Sequence, residues 1–175
     1  MLGDIVETVY TSLVGAVSLV FFLGVAAYIM FESNSRWREF EGLYLARPSQ
    51  KPASCKLTGA VRISQPGYRW GHLSGDLKSH RHPPVMVGIR EDGLWLSIVP
   101  PFKYGCRDLF LPFDKMQISP TDWDLVSGTY GIRMQGVAGI EMLMFGNILK
   151  WAAKRAPALQ EKLQQAEIER SGQAA

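Results

Sequence analysis

The run from Thr8 to Phe31 constrains this chain most, because its 24 residues contain no Asp, Glu, Lys or Arg. At about 1.5 Å rise per residue it makes a helix of roughly 36 Å, enough to cross a hydrocarbon layer of about 30 Å. Residues 1–31 are therefore expected to form an N-terminal single transmembrane helix. A cleaved secretory signal carries basic residues ahead of a shorter apolar core, whereas this chain opens Met1-Leu-Gly-Asp-Ile-Val-Glu7. No Lys or Arg precedes the run and Arg36, Arg38 and Arg47 come after it. Basic flanks stay cytoplasmic, which puts the N-terminus outside and the C-terminal domain in the cytoplasm. Thr11, Gly15 and Ser18 fall near one helix face and would let a second copy approach as a homo-oligomer.

The remainder of the chain, Glu32 to Ala175, is 144 residues, the size of one domain. All 19 basic residues lie in it against 14 acidic ones, a formal charge of +5. That excess suits contact with anionic lipid headgroups and falls short of the basic stripe of a nucleic-acid binder. Cys55 and Cys106 lack metal-ligand spacing and read as buried thiols or one disulfide. A cytoplasmic location favours the reduced form.

Residues 32–54 read as a juxtamembrane segment and linker. Trp37, Phe40 and Tyr44 sit either at headgroup level beside the arginines or at the start of the folded domain. The two prolines between Gly42 and Pro52 read as linker. From Cys55 the chain turns to strand periodicity, with Val61 and Ile63 alternating against Arg62 and Ser64. Tyr68–Leu73 is a weaker strand candidate. Val85–Arg90 and Leu94–Val99 flank Glu91-Asp92-Gly93 as a β-hairpin. Leu109–Ile118 resumes as strand with a bend at Pro112, and Leu125–Gln135 with Ile140–Phe145 makes a second hairpin. After Phe145 the period becomes helical, with Ile148, Trp151, Ala152 and Arg155 on one face. Pro157 interrupts or restarts the helix. Residues 157–175 read as a polar helical tail, a solvated extension with a thin apolar stripe of Leu159, Leu163 and Ala166.

The hairpin Val87-Gly-Ile-Arg-Glu-Asp-Gly-Leu-Trp-Leu96 and the strand Leu109-Phe-Leu-Pro-Phe-Asp-Lys-Met116 resemble segments of bacterial and GRAM-type pleckstrin-homology-like (PH-like) domains. In the strand, Phe113 stands in the aromatic place and Met116 in that of the final isoleucine. The resemblance implies, over residues 55–156, a mainly-β small barrel of six to seven antiparallel strands with a C-terminal helix. Ile148 and Trp151 are the candidate helix plug of its open end. Together with the apolar run at residues 8–31, the expectation is a single-pass protein of the cell inner membrane. Phosphoinositide-binding members carry a basic pattern in the first hairpin. Here Lys56, Arg62 and Arg69 are widely spaced, which speaks against inositol-lipid binding.

The residues do not spell out a chemistry. There is no Gly-rich phosphate loop with lysine, no His-Glu-x-x-His, no Gly-x-Ser-x-Gly and no Cys-x-x-Cys. No catalytic residue, cofactor or metal is therefore assigned. Asp122 and Asp124 read as a solvated edge, and Cys106 lacks the partners of a nucleophile. The candidate membrane or partner contacts are Arg36, Trp37 and Arg38, the cluster Lys78, His80, Arg81 and His82, and the loop residues Phe102, Lys103 and Tyr104. Phe102 is expected to tuck inward in preference to facing out. The function expected is a non-catalytic binding or adaptor module for a protein partner or an anionic membrane face. The alternatives are a subunit of a larger membrane complex and a barrel that binds or processes a small ligand in a pocket lined by Trp70, Trp95 and Phe113.

Overall fold

Among the described residues, alternating apolar side chains turn the middle of the chain into seven strands: β1 Cys55–Ser64, β2 His80–Ile89, β3 Gly93–Ile98, β4 Leu109–Pro112, β5 Met116–Pro120, β6 Thr129–Met134 and β7 Glu141–Phe145. Four helices flank them: α1 Leu2–Ser33, α2 Ser35–Tyr44, α3 Gly146–Ala153 and α4 Pro157–Gln173. The computed structural model describes residues 2–64, 80–121 and 128–173, without the side chains of 2–9, 11–12, 26, 29–33, 59–60, 64, 80–83 and 173. The candidate strand 68–73, Arg69, Trp70, Lys78, Asp122 and Asp124 lie outside the described residues.

All strand pairs are antiparallel, and the sheet runs β4-β3-β2-β1-β7-β6-β5. The expected turn at Glu91–Gly93 joins β2 to β3, with Val87 opposite Leu96 and Ile89 opposite Leu94. The second hairpin pairs Thr129 with Phe145 and Ile132 with Met142. Strands β4 and β5 lie at opposite ends of this order, yet a single 3-10 turn, Phe113–Lys115, separates them in the chain. So short a link holds the two ends of the sheet within about 15 Å, and the sheet must curl.

It does not close. No strand pairing joins β4 to β5, which corrects the expectation of a small barrel: this is an open, curved sheet in a mixed α/β fold. Helices occupy the positions where further pairing would complete a barrel. Leu45, just past α2, forms an isolated bridge to Leu109 on β4, and Ala46 N–H donates to Asp108 O at 2.9 Å. On the other edge Lys162 Nζ of α4 donates to Met116 O of β5 at 2.9 Å. Covered edges do not offer themselves to another chain.

The segment read as linker is also part of the fold. Trp37, Phe40 and Tyr44 are buried in the core, so of the two readings left open the rings start the folded domain. Residues 45–53 lie along the sheet, where Arg90 Nη1 donates to Ser49 O at 3.1 Å.

The expected membrane span is corrected. Among the described residues no helix is long and apolar enough to cross a membrane. The single-pass topology and inner-membrane placement fall with that span. Over this stretch Leu13, Val17, Val20, Phe21 and Phe22 are exposed.

The C-terminal helices depart from expectation in a different way. Pro157 opens α4, where its missing N–H costs nothing. Leu159, Leu163 and Ala166 are buried, so the helix is docked and not a solvated extension. Its polar face adds a clasp. Lys150 Nζ lies 2.9 Å from Glu167 Oε1, Tyr130 Oη donates to the same carboxylate at 3.3 Å, and Arg170 Nη2 donates to Thr129 O at 2.9 Å. The Arg170 guanidinium stacks 4.6 Å from the Tyr130 ring centroid.

The hydrogen bond from Lys150 holds the Glu167 carboxyl below its usual range, and the same bond raises the Lys150 ammonium. A lowered carboxyl pKa stabilises the fold above its unfolded value and loses that contribution as pH falls through the folded one. A raised lysine pKa stabilises below the unfolded value and loses its contribution as pH rises through the folded one. Glu167→Gln is therefore expected to lower stability by no more than about 1 kcal/mol, given the pair's exposure. Thermal melts should show the deficit level between about pH 5 and 10 and vanishing toward either extreme.

Candidate functional site

The residues singled out from the sequence converge most closely at the loop between β3 and β4, residues 99–108. Helix α2 places them there. Trp37, Phe40, Glu41 and Tyr44 have the i, i+3, i+4, i+7 spacing of a single helix face, and all four are buried. The aromatic members enter the core. The polar atoms of the face are spent on the loop and the turn beyond it.

Asn34, at the α1–α2 junction, donates from Nδ2 to Phe102 O at 3.2 Å and to Tyr104 O at 3.3 Å. Trp37 Nε1 donates to Arg107 O at 2.9 Å. The Glu41 carboxylate accepts from Arg107 N–H at 2.6 Å and pairs with Arg107 Nε at 3.6 Å. Tyr44 Oη donates to Gln135 O. Within the loop Lys103 Nζ is 2.5 Å from Asp108 Oδ1. Buried side chains thus satisfy successive backbone groups of a ten-residue connection, which would otherwise be free to move.

What the loop presents is aromatic. Phe102 is 42% exposed and Tyr104 54% exposed, so the inward tuck expected for Phe102 does not occur. Of the proposed contacts, the structure gathers Phe102, Lys103 and Tyr104 on this loop beside α2. Trp37 is beneath them, fully buried and closed to a partner. Arg36 and Arg38 are half-buried on α2, and the Arg38 charge reaches Cys106. His80, Arg81 and His82 begin β2, with His80 opposite Ile63 and Arg81 opposite Arg62; the structure describes these three by their backbone alone.

Asn34 and Glu41 were missed from the sequence. The four-residue helical face carried the signal, but rings that come after an apolar run and sit among arginines look equally like an interfacial anchor.

Cys106 is held in its thiol form. Burial pushes the Cys106 thiol up to about 11, with the Glu41 carboxylate adding to the shift. Thiolate at pH 7 is then on the order of one part in 10⁴. Alkylation of Cys106 at pH 7.5 is expected to be about 100-fold slower in the folded protein than in urea, read by mass spectrometry. Equal rates would place the thiol in solvent. Among the described residues no cluster of His, Cys, Asp and Glu is arranged to hold a metal. Phe113 is in the core and Trp95 on the opposite face of the sheet, so these two do not line one pocket.

Trp151, expected as a plug with Ile148, is half-buried at the surface. Its ring centroid lies 5.7 Å from Lys56 Nζ and 4.8 Å from Arg155 Cζ. Ile148, Leu149, Ala152 and Ala153 are the parts of α3 that enter the core, and Trp151 packs against it. Compared with known proteins, the chain matches no family model, no curated protein and no solved structure.

Proposed function

We propose that this chain is a non-catalytic binding module, which docks a protein partner on the rings of Phe102 and Tyr104. The observation that carries the binding reading is the use of three buried side chains, Asn34, Trp37 and Glu41, to fix the backbone of a loop whose own large rings face solvent. Ordering a loop in advance removes an entropy cost from association, and exposed aromatic side chains are the usual anchors of an interface. Lys103 is neutralised by Asp108, which favours an apolar protein surface over an anionic one.

A photo-cross-linking benzophenone residue placed at Tyr104 in cells tests this reading. The expected result is a discrete adduct that disappears when Phe102→Ala is added and is absent with the cross-linker at Gln164, on the exposed side of α4. Adducts at both positions, or at neither, would overturn the proposal.

A further inference from the structure

The sheet face turned away from the core carries a second group of residues, independent of the loop. Four of them stand in register, one per strand: Cys55 opposite Gly88, Gly88 opposite Trp95, and Trp95 opposite Phe110. Directly paired residues of antiparallel strands project to the same side. Leu94 and Leu96, on either side of Trp95, belong to the core, so the row faces outward.

The second place in the row has no side chain. A β-carbon on Gly88 would stand 2.0 Å from Cγ of Pro52 and 3.1 Å from Cys55 Sγ. The Pro52 ring therefore fills the gap between the Cys55 thiol and Trp95. Gly93 is a second bare position, and there the Phe110 ring would come within 2.7 Å of a β-carbon. Trp95 and Phe110 are 3% and 5% exposed although they lie outside the core cluster.

The strap that delivers Pro52 is lightly held. Arg47, Pro48, Ser49, Lys51 and Ala53 are exposed. The hydrogen bond from the sheet to Ser49 O comes from Arg90, whose side chain is 42% exposed. Lys51 has φ −66° and ψ 120°, the extended backbone that a following proline imposes.

We infer that the outward row Cys55, Gly88, Trp95 and Phe110 is a proline-receiving slot, filled in cis by Pro52, which takes a proline-bearing extended segment of a partner protein when the 47–53 strap lifts. A bare glycine beside an aromatic ring is the shape that accepts a pyrrolidine ring, and an extended proline segment loses little entropy on docking. Exchanging one proline for another leaves the slot equally dry. Tethering alone favours the strap, through an effective concentration in the millimolar range.

The test is a titration of the full chain with a peptide of residues 46–54, monitored at the indole N–H resonance of Trp95, itself assigned by its loss in Trp95→Phe. In Pro52→Ala the shift should saturate at a peptide concentration at least about tenfold lower than in the unaltered chain. A peptide carrying Pro52→Ala should give no saturable shift, and adding Gly88→Val to the opened chain should abolish binding. Absence of a saturable shift in Pro52→Ala, or equal shifts from the two peptides, would overturn the slot. The peptide comparison decides the matter even where Gly88→Val does not fold.

Discussion

Trp37→Ala will lower the stability of the fold by about 3–5 kcal/mol, the cost of truncating a fully buried indole. Part of the loss is the cavity. The rest is the Arg107 carbonyl, which loses the 2.9 Å hydrogen bond from Nε1 and is left unsatisfied. Urea unfolding monitored by circular dichroism reads the change directly. Trp37→Phe keeps a ring in the core and removes the donor, so the hydrogen bond's share of its cost is about 1 kcal/mol. In that variant amide exchange at Arg107 should accelerate while the β-sheet amides stay protected, because the loop loosens before the sheet does. A loss below about 1 kcal/mol for Trp37→Ala would mean that α2 is an appendage. The loop 99–108 would then have no rigid base, and the case for Phe102 and Tyr104 as a contact surface would go with it.

The strands were legible because their signal is local. Alternation around Val61 and Ile63, the glycine turn at Glu91–Gly93 and the bend at Pro112 each depend on a few adjacent residues, and each appears in the structure. Whether a curved sheet closes depends on what reaches its two edges. That is decided by Leu45 against Leu109 and Lys162 against Met116, contacts 64 and 46 residues apart in the chain. Nothing in the periodicity of β4 or β5 announces them.

The candidate site divides the same way. Phe102 and Tyr104 were visible as rings in a proline-rich loop, but their outward direction comes from Asn34 and Glu41, more than sixty residues earlier. A glutamate among aromatic residues on a short helix reads as solvated until the Arg107 N–H it accepts from is known. Pro52 shows the same limit: in the sequence it marks a linker, and its partner is the absence of a side chain at Gly88.

Leu159→Ala is expected to cost about 2–5 kcal/mol, which separates a docked α4 from a solvated one. Leu159 is fully buried and Leu163 nearly so, whereas a leucine on a solvated helix changes stability by no more than about 0.5 kcal/mol when shortened. The comparison with Glu167→Gln, at no more than about 1 kcal/mol, identifies which side of the helix holds it in place. Should Leu159→Ala prove nearly neutral and Glu167→Gln costly, the clasp of Glu167 with Lys150 and Tyr130 would be carrying α4, which is energetically implausible for 17 residues of ordered helix. A large effect at Leu159 alone makes the apolar stripe the cause and the ion pair an adjustment of register. Equilibrium unfolding of the two single variants distinguishes these cases. The same variant tests the edge of the sheet: with α4 loosened, Met116 O loses its lysine and β5 becomes an uncovered strand. Leu159→Ala should then self-associate at concentrations where Glu167→Gln behaves as the unaltered chain does, a difference that sedimentation velocity reports independently of stability.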